Sequence, residues 1–404
     1  METQSQLPST QLQLKGTTFL RTCINGINAL SGVGILSIPF ALSQGGWLSL
    51  ILLSLVAAVC WYTGLLLKRC MDANPSVRTY PDIGWLAFGF KGKIMVSIFV
   101  YMELYLVAVE FLILEGDNLQ KLFPSSGFKV GSVSVEGKQM YMVLAAVFIL
   151  PTTWLKSLGL LAYVSFGGVL ASVVLVLCVA WVGAVDGVGF NQRDELLKLQ
   201  GLPTTLSLFL FCYCGHAVFP MLSNSMNNKT QFPKVLMVCF VTSTMSYGSM
   251  AILGYLMYGD NIKSQVTLNL PTDKTSTKVA IYTTLINPIT KYAAIINPIA
   301  IAIEEASRLF ATRSMAILMR TLLLFTTLIL ALSIPFFAYV MAFTGAFLSV
   351  TNGILIPCLC YLKINKSARK FGWELVVIVG ILVMGFSVGI LGTCSSIKEI
   401  VKRL

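Results

Sequence analysis

Charge is scarce in this chain: 29 Lys or Arg, 17 Asp or Glu and one His among 404 residues, or 11% charged against 56% hydrophobic. Soluble domains of ordinary composition carry about 25% charged residues, and a mean hydropathy of +0.80 excludes that class. Without a charged soluble module there is no basic face for nucleic acid, so the net charge of +12 is assigned to loops and to attraction for lipid surfaces. One histidine rules out a histidine-rich metal centre. The ten cysteines form no disulfide framework: they lie mostly within apolar runs, as in Cys212-Tyr-Cys214 and Cys358-Leu-Cys360, where thiols act as small packing groups. Neither a phosphate-cradling P-loop nor a catalytic triad is present, so the chain reads as no enzyme, with no cofactor beyond coupling protons. No cleavable leader is expected, because about the first 15 residues are polar and the apolar run after them is full length; the first span is expected to serve as its own address.

What remains is a polytopic membrane protein. Apolar stretches of about 20 residues bounded by charges or turn formers fall at 19–40, 47–67, 94–117, 140–155, 160–185, 204–222, 232–258, 279–303, 314–333, 335–362 and 373–394. That makes eleven spans in one membrane domain, 19–404, behind a short N-terminal segment, 1–18. An odd count puts the termini on opposite sides. About 17 of the basic residues, among them Lys68, Arg69, Lys363 and Arg369, fall in the N-terminus and near the loops after even-numbered spans, against about 11 near the others. The N-terminus is therefore expected in the cytosol and the C-terminus in the lumen. Under that topology the glycosylation-type triplets Asn228-Lys-Thr230 and Asn365-Lys-Ser367 face the cytosol and stay unmodified.

Two spans carry the same interruption. The first reads Gly34-Ile-Leu-Ser-Ile-Pro39 and the sixth Gly215-His-Ala-Val-Phe-Pro220, each with Gly and Pro five residues apart. Pro removes a backbone donor and Gly removes side-chain bulk, so both helices are expected to break within the membrane. Hydrocarbon cannot satisfy the freed N–H and C=O groups, and such a break persists where it lines a polar cavity. Matched interruptions in corresponding halves point to the substrate site of a secondary transporter; the structural alternative is two kinked helices that merely pack. Numbers one and six divide the first ten spans into two sets of five, about 19–185 and 204–362, with a solitary eleventh at 373–394. The fold expected is an all-α, five-plus-five inverted repeat.

Further motifs accompany the interruptions. Span one reads Asn25-Gly-Ile-Asn28-Ala-Leu-Ser31-Gly32-Val33-Gly34, followed by Gln44-Gly-Gly-Trp47. Span three holds Glu103-Leu-Tyr105 and the run from Glu110 to Asp117-Asn118, and span six leads to Phe232-Pro-Lys234. Together these resemble the amino acid/auxin permease family, closest to its plant vacuolar AVT1-type members, which are related to the vesicular inhibitory amino acid transporters. The resemblance covers nearly the whole chain. It implies a LeuT-like fold of about eleven helices and proton-coupled amino acid transport, with antiport at an acidic vacuole favoured. Many relatives carry a long acidic cytosolic extension; here the expected N-terminal segment is short, and regulation by such a tail is not expected.

An amino acid needs an anion-binding end and a carbonyl-rich end close together, and broken helices supply both. The half-helix beginning near Gly32, Val33 and Gly34 turns its N–H groups and positive dipole end toward a carboxylate. The break at Cys212, Tyr213, Cys214 and Gly215 offers carbonyls to an ammonium, and Asn25, Asn28 and Ser31 lie beside the first break, as ligands or as backbone caps. Lys291 sits about twelve residues from either end of span eight, near the midplane, where an unpaired lysine costs about 2.5–3.5 kcal/mol on insertion scales. In LeuT-like carriers the eighth helix helps hold sodium against the broken first helix. Lys291 is thus expected to replace that sodium, making the carrier sodium-independent with loss or gain of its proton coupled to the cycle, or else to form a static salt bridge. Glu103, Glu110 and Asp117 recur every seven residues along one stripe; the first two are the proton-coupling candidates, or structural partners of Lys291. His216, beside the second break, is either a proton relay or a hydrogen-bond plug.

The leading reading is a monomeric proton/amino acid antiporter of an endomembrane, with amino acid and lipid bilayer as its partners. A transceptor of the same cavity would need a substantial cytosolic docking segment, and a channel would need a ring-forming polar filter; neither feature is present. A sodium-coupled or auxin-type permease of the plasma membrane is the alternative within the carrier class, and Lys291 argues against sodium.

Overall fold

In hydrocarbon every backbone group must be satisfied within the chain, so uninterrupted apolar runs close as helices. The computed structural model describes residues 16–124, 127–130, 133–154, 161–192, 194–306 and 312–403. Parts of the expected N-terminal segment and of the fourth and fifth spans, at 1–15 and 155–160, lie outside the described residues. The first span comprises α1 (Phe19–Leu30), a 3-10 turn (Val33–Leu36) and α2 (Ile38–Gly45). After it come α3 (Ser49–Ala73), α4 (Tyr80–Leu122), a hairpin of β1 (Phe128–Val130) and β2 (Val133–Val135), α5 (Gly137–Thr153) and α6 (Leu161–Ala184). The sixth span comprises α7 (Leu202–Tyr213), a 3-10 turn (His216–Val218) and α8 (Phe219–Ser225). It is followed by α9 (Phe232–Tyr258), α10 (Thr275–Ala306), α11 (Arg313–Ser333), α12 (Phe337–Phe343), α13 (Ile356–Ile364) and α14 (Trp373–Arg403). Among the described residues nine segments are long and apolar enough to cross a membrane. The broken first run and the 17-residue α5 stand beside them, so the chain is an all-α, multi-pass membrane protein.

Both interruptions have one local cause. Pro39 is the second residue of α2 and Pro220 the second of α8, a position where the missing N–H would have no intrahelical partner anyway. Each proline therefore starts a half-helix, and the residues before it form the 3-10 turn. Gly32, at φ −93° and ψ −159°, is extended between the two halves of the first span.

The described helices depart from the expected spans in several places, of which three matter for the site. The span expected at 94–117 belongs to α4, which begins at Tyr80 behind a capping box of Thr79 and Asp82 and bends at Gly89, where φ is +66°. A β-carbon on Gly84 would lie 2.6 Å from the Gly92 carbonyl oxygen, so two glycines let the arms of this bend touch. The eleventh helix runs on from 394 to Arg403. The tenth span contains π-helical turns at Thr344–Ser349 and Thr351–Leu355, between α12 and α13.

The helices pack as two groups joined by α6. In one, α1 and α2 lie on α9, and α2 on α7; in the other, α4, α5, α10 and α11 pack on each other. Loop contacts sort the ends onto two faces. Thr17 pairs with Ser225 (N···O 2.7 Å) and Asn224 donates to the Val77 carbonyl on one face, while Leu48 pairs with Leu196 (2.9 Å) and Asp260 with Asp194 on the other.

The two interrupted spans touch at Gly34, where a β-carbon would stand 2.5 Å from the Cys212 Sγ. Gly34→Ala is expected to cost about 1–3 kcal/mol of stability through overpacking. Cys212→Ala in the same chain should restore most of it, as read from thermal unfolding in detergent. Equal melting of the single and double variants would show that the breaks are not in contact.

Candidate functional site

A helix end leaves its last carbonyls without intrahelical donors, and here two such ends meet inside the protein. At the end of α1, the Ile27 carbonyl accepts from the Ser31 N–H (2.6 Å) and the Leu30 carbonyl from the Gly32 N–H (2.8 Å). The Asn28 carbonyl accepts from Lys291 Nζ at 3.3 Å. Lys291 comes from α10, between Pro288 and Pro298, and places its cation at the negative end of the α1 dipole. The Asn28 side chain donates to Ser165 Oγ at 3.4 Å, and its buried Oδ1 has no hydrogen-bond partner. Close approach of α6 depends on Gly168, whose β-carbon would run into that Oδ1 and lie 3.4 Å from Lys291 Cε.

Tyr247, on α9, ties the two breaks together. Its hydroxyl lies 2.5 Å from the Leu30 carbonyl oxygen and 3.1 Å from that of Cys212, so one O–H serves a carbonyl from each interrupted span. Tyr213 donates to Thr244 Oγ1 at 2.9 Å and stacks on Phe240. Cys214 Sγ is 3.7 Å from the Ser349 carbonyl, and Gly215 packs against Leu30, leaving 2.9 Å between a β-carbon there and Leu30 Cδ2.

Beside the first break, Gly32 and Val33 line a cleft with Ala171, Ser172, Thr284 and Asn287. Its roughly 20 Å³ of free space holds about one water. Asn25 lies half-buried one turn before Asn28, and Ser31 is buried as the C-cap of α1.

Fully buried His216 presents Nε2 to Thr63 Oγ1 (2.9 Å) and the Cys60 carbonyl (3.1 Å). Thr63 directs its own hydrogen to the carbonyls of Val59 or Cys60, which assigns the imidazole proton to Nε2. Nδ1 then faces Gly353 without a hydrogen-bond partner.

The acids of α4 meet the π-helical segment of the tenth span. Glu103 accepts from Ser349 Oγ (2.5 Å) and Asn352 Nδ2 (2.8 Å), while Glu110 accepts from Thr344 Oγ1 (2.8 Å). Glu110 is fully buried and its Oε2 has no hydrogen-bond partner. Among the described contacts neither acid pairs with Lys291. Asp117 lies elsewhere, in an ion pair with Lys138. Sequence reasoning missed Tyr247, Thr344, Ser349 and Asn352; only the polar residues beside Gly345 and Gly353 in an apolar run could have signalled the last three. Among the described residues no cluster of His, Cys, Asp and Glu could hold a metal ion.

Comparison with known proteins agrees along the whole chain. The family described as "Transmembrane amino acid transporter protein" matches residues 15–398. "Amino acid transporter AVT1J" of Arabidopsis thaliana is 50% identical over 96% of this chain and 92% of its own length. "Amino acid transporter AVT1B" from the same plant is 42% identical, covering 96% and 72%. The "Vesicular GABA transporter" of Caenorhabditis elegans is 25% identical over 95% and 80%. Among solved structures, a substrate-bound, outward-open Na+-coupled sialic acid symporter aligns with a TM-score of 0.55 at 11% identity, covering 93% of this chain and 89% of that one. At that identity the likeness concerns the fold alone.

Tyr247→Phe removes the donor shared by the two break carbonyls and leaves both buried, a loss of about 1–3 kcal/mol. The substrate concentration for half-maximal uptake should rise about tenfold at unchanged yield of folded protein. An uptake curve superimposable on that of the parent would remove Tyr247 from the site.

Proposed function

Because the chain belongs to the transmembrane amino acid transporter family, we propose that it works as a proton/amino acid antiporter of an endomembrane, the vacuolar membrane of a plant cell above all. It is built as a five-plus-five inverted repeat, 19–185 and 204–362, with 373–394 as an added helix, and acts as a monomer. The observation that carries this reading is the meeting of two interrupted spans around one shared hydroxyl, with a lysine on the open end of the first. Gly32, Val33 and Gly34 face the substrate carboxylate, and the carbonyls of Cys212, Tyr213, Cys214 and Gly215 face its ammonium. Asn25, Asn28 and Ser31 border the same space.

The ammonium of Lys291 takes the place a bound sodium would fill against the Asn28 carbonyl, which supports sodium-independent transport. Glu110, with one oxygen on Thr344 and the other bare, is the foremost proton carrier, and Glu103, two turns away on α4, meets the same π-helical segment. For His216 the contacts to Cys60 and Thr63 favour a plug that steadies the second break over a relay. The Lys/Arg distribution puts the N-terminus and α8 end in the cytosol and the C-terminus in the lumen. Asn228 and Asn365 then remain unglycosylated, and both side chains cap short turns, through the N–H groups of Thr230 and Ser367.

The decisive experiment is uptake of mixed labelled amino acids by proteoliposomes containing the purified protein, with an imposed pH gradient and no sodium. Accumulation on the acidic side that collapses with a protonophore is the expected result. Lys291→Ala and Glu110→Gln should each abolish gradient-driven accumulation, and Glu110→Gln should leave pH-independent exchange. Substrate binding without any gradient-driven flux would refute the antiporter and favour a sensor.

A further inference from the structure

Two ion pairs at opposite ends of the second helix group share one construction. At the end of α4, Asp117 pairs with Lys138 of α5 at 2.5 Å, and Lys138 Nζ also donates to the Pro335 carbonyl, just past the end of α11, at 2.7 Å. At the end of α10, Glu304 pairs with Arg320 of α11 at 3.1 Å, and Arg320 also donates to the Thr153 carbonyl, at the end of α5, at 3.3 Å. An amide completes each: Gln265 Nε2 donates to Asp117 (2.9 Å), and Asn297 Oδ1 accepts from Arg320 (3.1 Å). In span numbers, an acid ending the third pairs with a cation of the fourth that reaches the end of the ninth. Likewise an acid ending the eighth pairs with a cation of the ninth that reaches the end of the fourth. The third span ends on the face opposite the eighth.

We propose that Lys138 and Arg320 are positioning residues, forming a repeat-related pair of clasps, one at each membrane face, that stay closed through the transport cycle. They hold α4, which carries Glu103 and Glu110, and α10, which carries Lys291, in one frame against which the interrupted spans move. The inference rests on the five-plus-five reading above. Burial supports a permanent role. Arg320 is 4% exposed with four donated bonds, and a buried cation stripped of its partners is costly, so a clasp opening every cycle would slow transport.

The test uses the full chain in proteoliposomes. Lys138→Met and Arg320→Met should lower gradient-driven accumulation per folded molecule by at least about tenfold and lower the melting temperature, with Lys138→Arg and Arg320→Lys retaining more of both. In a Cys394→Ser background, the pairs Asp117→Cys/Lys138→Cys and Glu304→Cys/Arg320→Cys, bridged by a short reducible thiol cross-linker, should transport at least as fast as when unbridged. Bridging that stops transport, with recovery on reduction, would make the clasps gates and overturn the proposal, as would methionine variants equal to the parent. If the parent itself accumulates nothing, the carrier reading has failed; unchanged melting in the methionine variants would then overturn the clasps, and lowered melting would support them.

Discussion

Inside a bilayer an unpaired carbonyl has no water to turn to, and the geometry of the first and sixth spans follows from that constraint. Starting a half-helix at Pro39 or Pro220 frees the carbonyls that precede it. The protein meets them with donors from two other helices, Tyr247 of α9 for Leu30 and Cys212 and Lys291 of α10 for Asn28, while α3 offers the Cys60 carbonyl and the Thr63 hydroxyl as acceptors to His216 at the second break. Losing either break would leave these donors buried and idle. Keeping the breaks obliges the surrounding helices to stay close, which explains glycines at the contacts: Gly34 against Cys212, Gly168 against Asn28, Gly353 against His216.

The acids solve a related problem differently. A carboxyl in the interior needs donors, and a regular helix offers only side chains, since its N–H groups are taken. The π-helical turns of the tenth span alter the phase of the helix face, bringing Thr344, Ser349 and Asn352 onto α4. Tyr80, at the start of α4, donates to the Asn352 carbonyl at 2.5 Å, so the same segment is tied at both levels. Glu103 is therefore fully supplied and Glu110 half supplied.

Much of this frame was legible because its signals are local. Apolar run length located the spans, the Gly/Pro spacing marked Gly34–Pro39 and Gly215–Pro220, and the distance of Lys291 from both helix ends singled it out. Side-chain facing was not legible. Seven-residue spacing put Asp117 on the stripe of Glu103 and Glu110, yet at the helix end Lys138 and Gln265 take it instead. Tyr247 looks like any other membrane tyrosine until the fold brings it to Leu30, more than two hundred positions away. The bend at Gly89 and the π-helical turns lack a distinctive period, so the bounds of α4 and the course of the tenth span could not be read.

A tethered cation differs from a bound one in more than selectivity. Sodium binds according to its concentration on each side and can therefore carry free energy from a gradient. The ammonium of Lys291 is present at fixed effective concentration on both sides, so it can hold the Asn28 carbonyl and the α1 dipole but cannot supply a driving force by itself. Driving force must come from a species that exchanges with solvent, and among the groups at this site only titratable ones qualify. In the proposed antiporter that division gives architecture to the lysine and energy coupling to a proton, with the bare oxygen of Glu110 as its stop. The proposal is consistent with neither acid pairing with Lys291 among the described contacts: a carboxylate locked in an ion pair would be held in one charge state, and a proton carrier has to visit two.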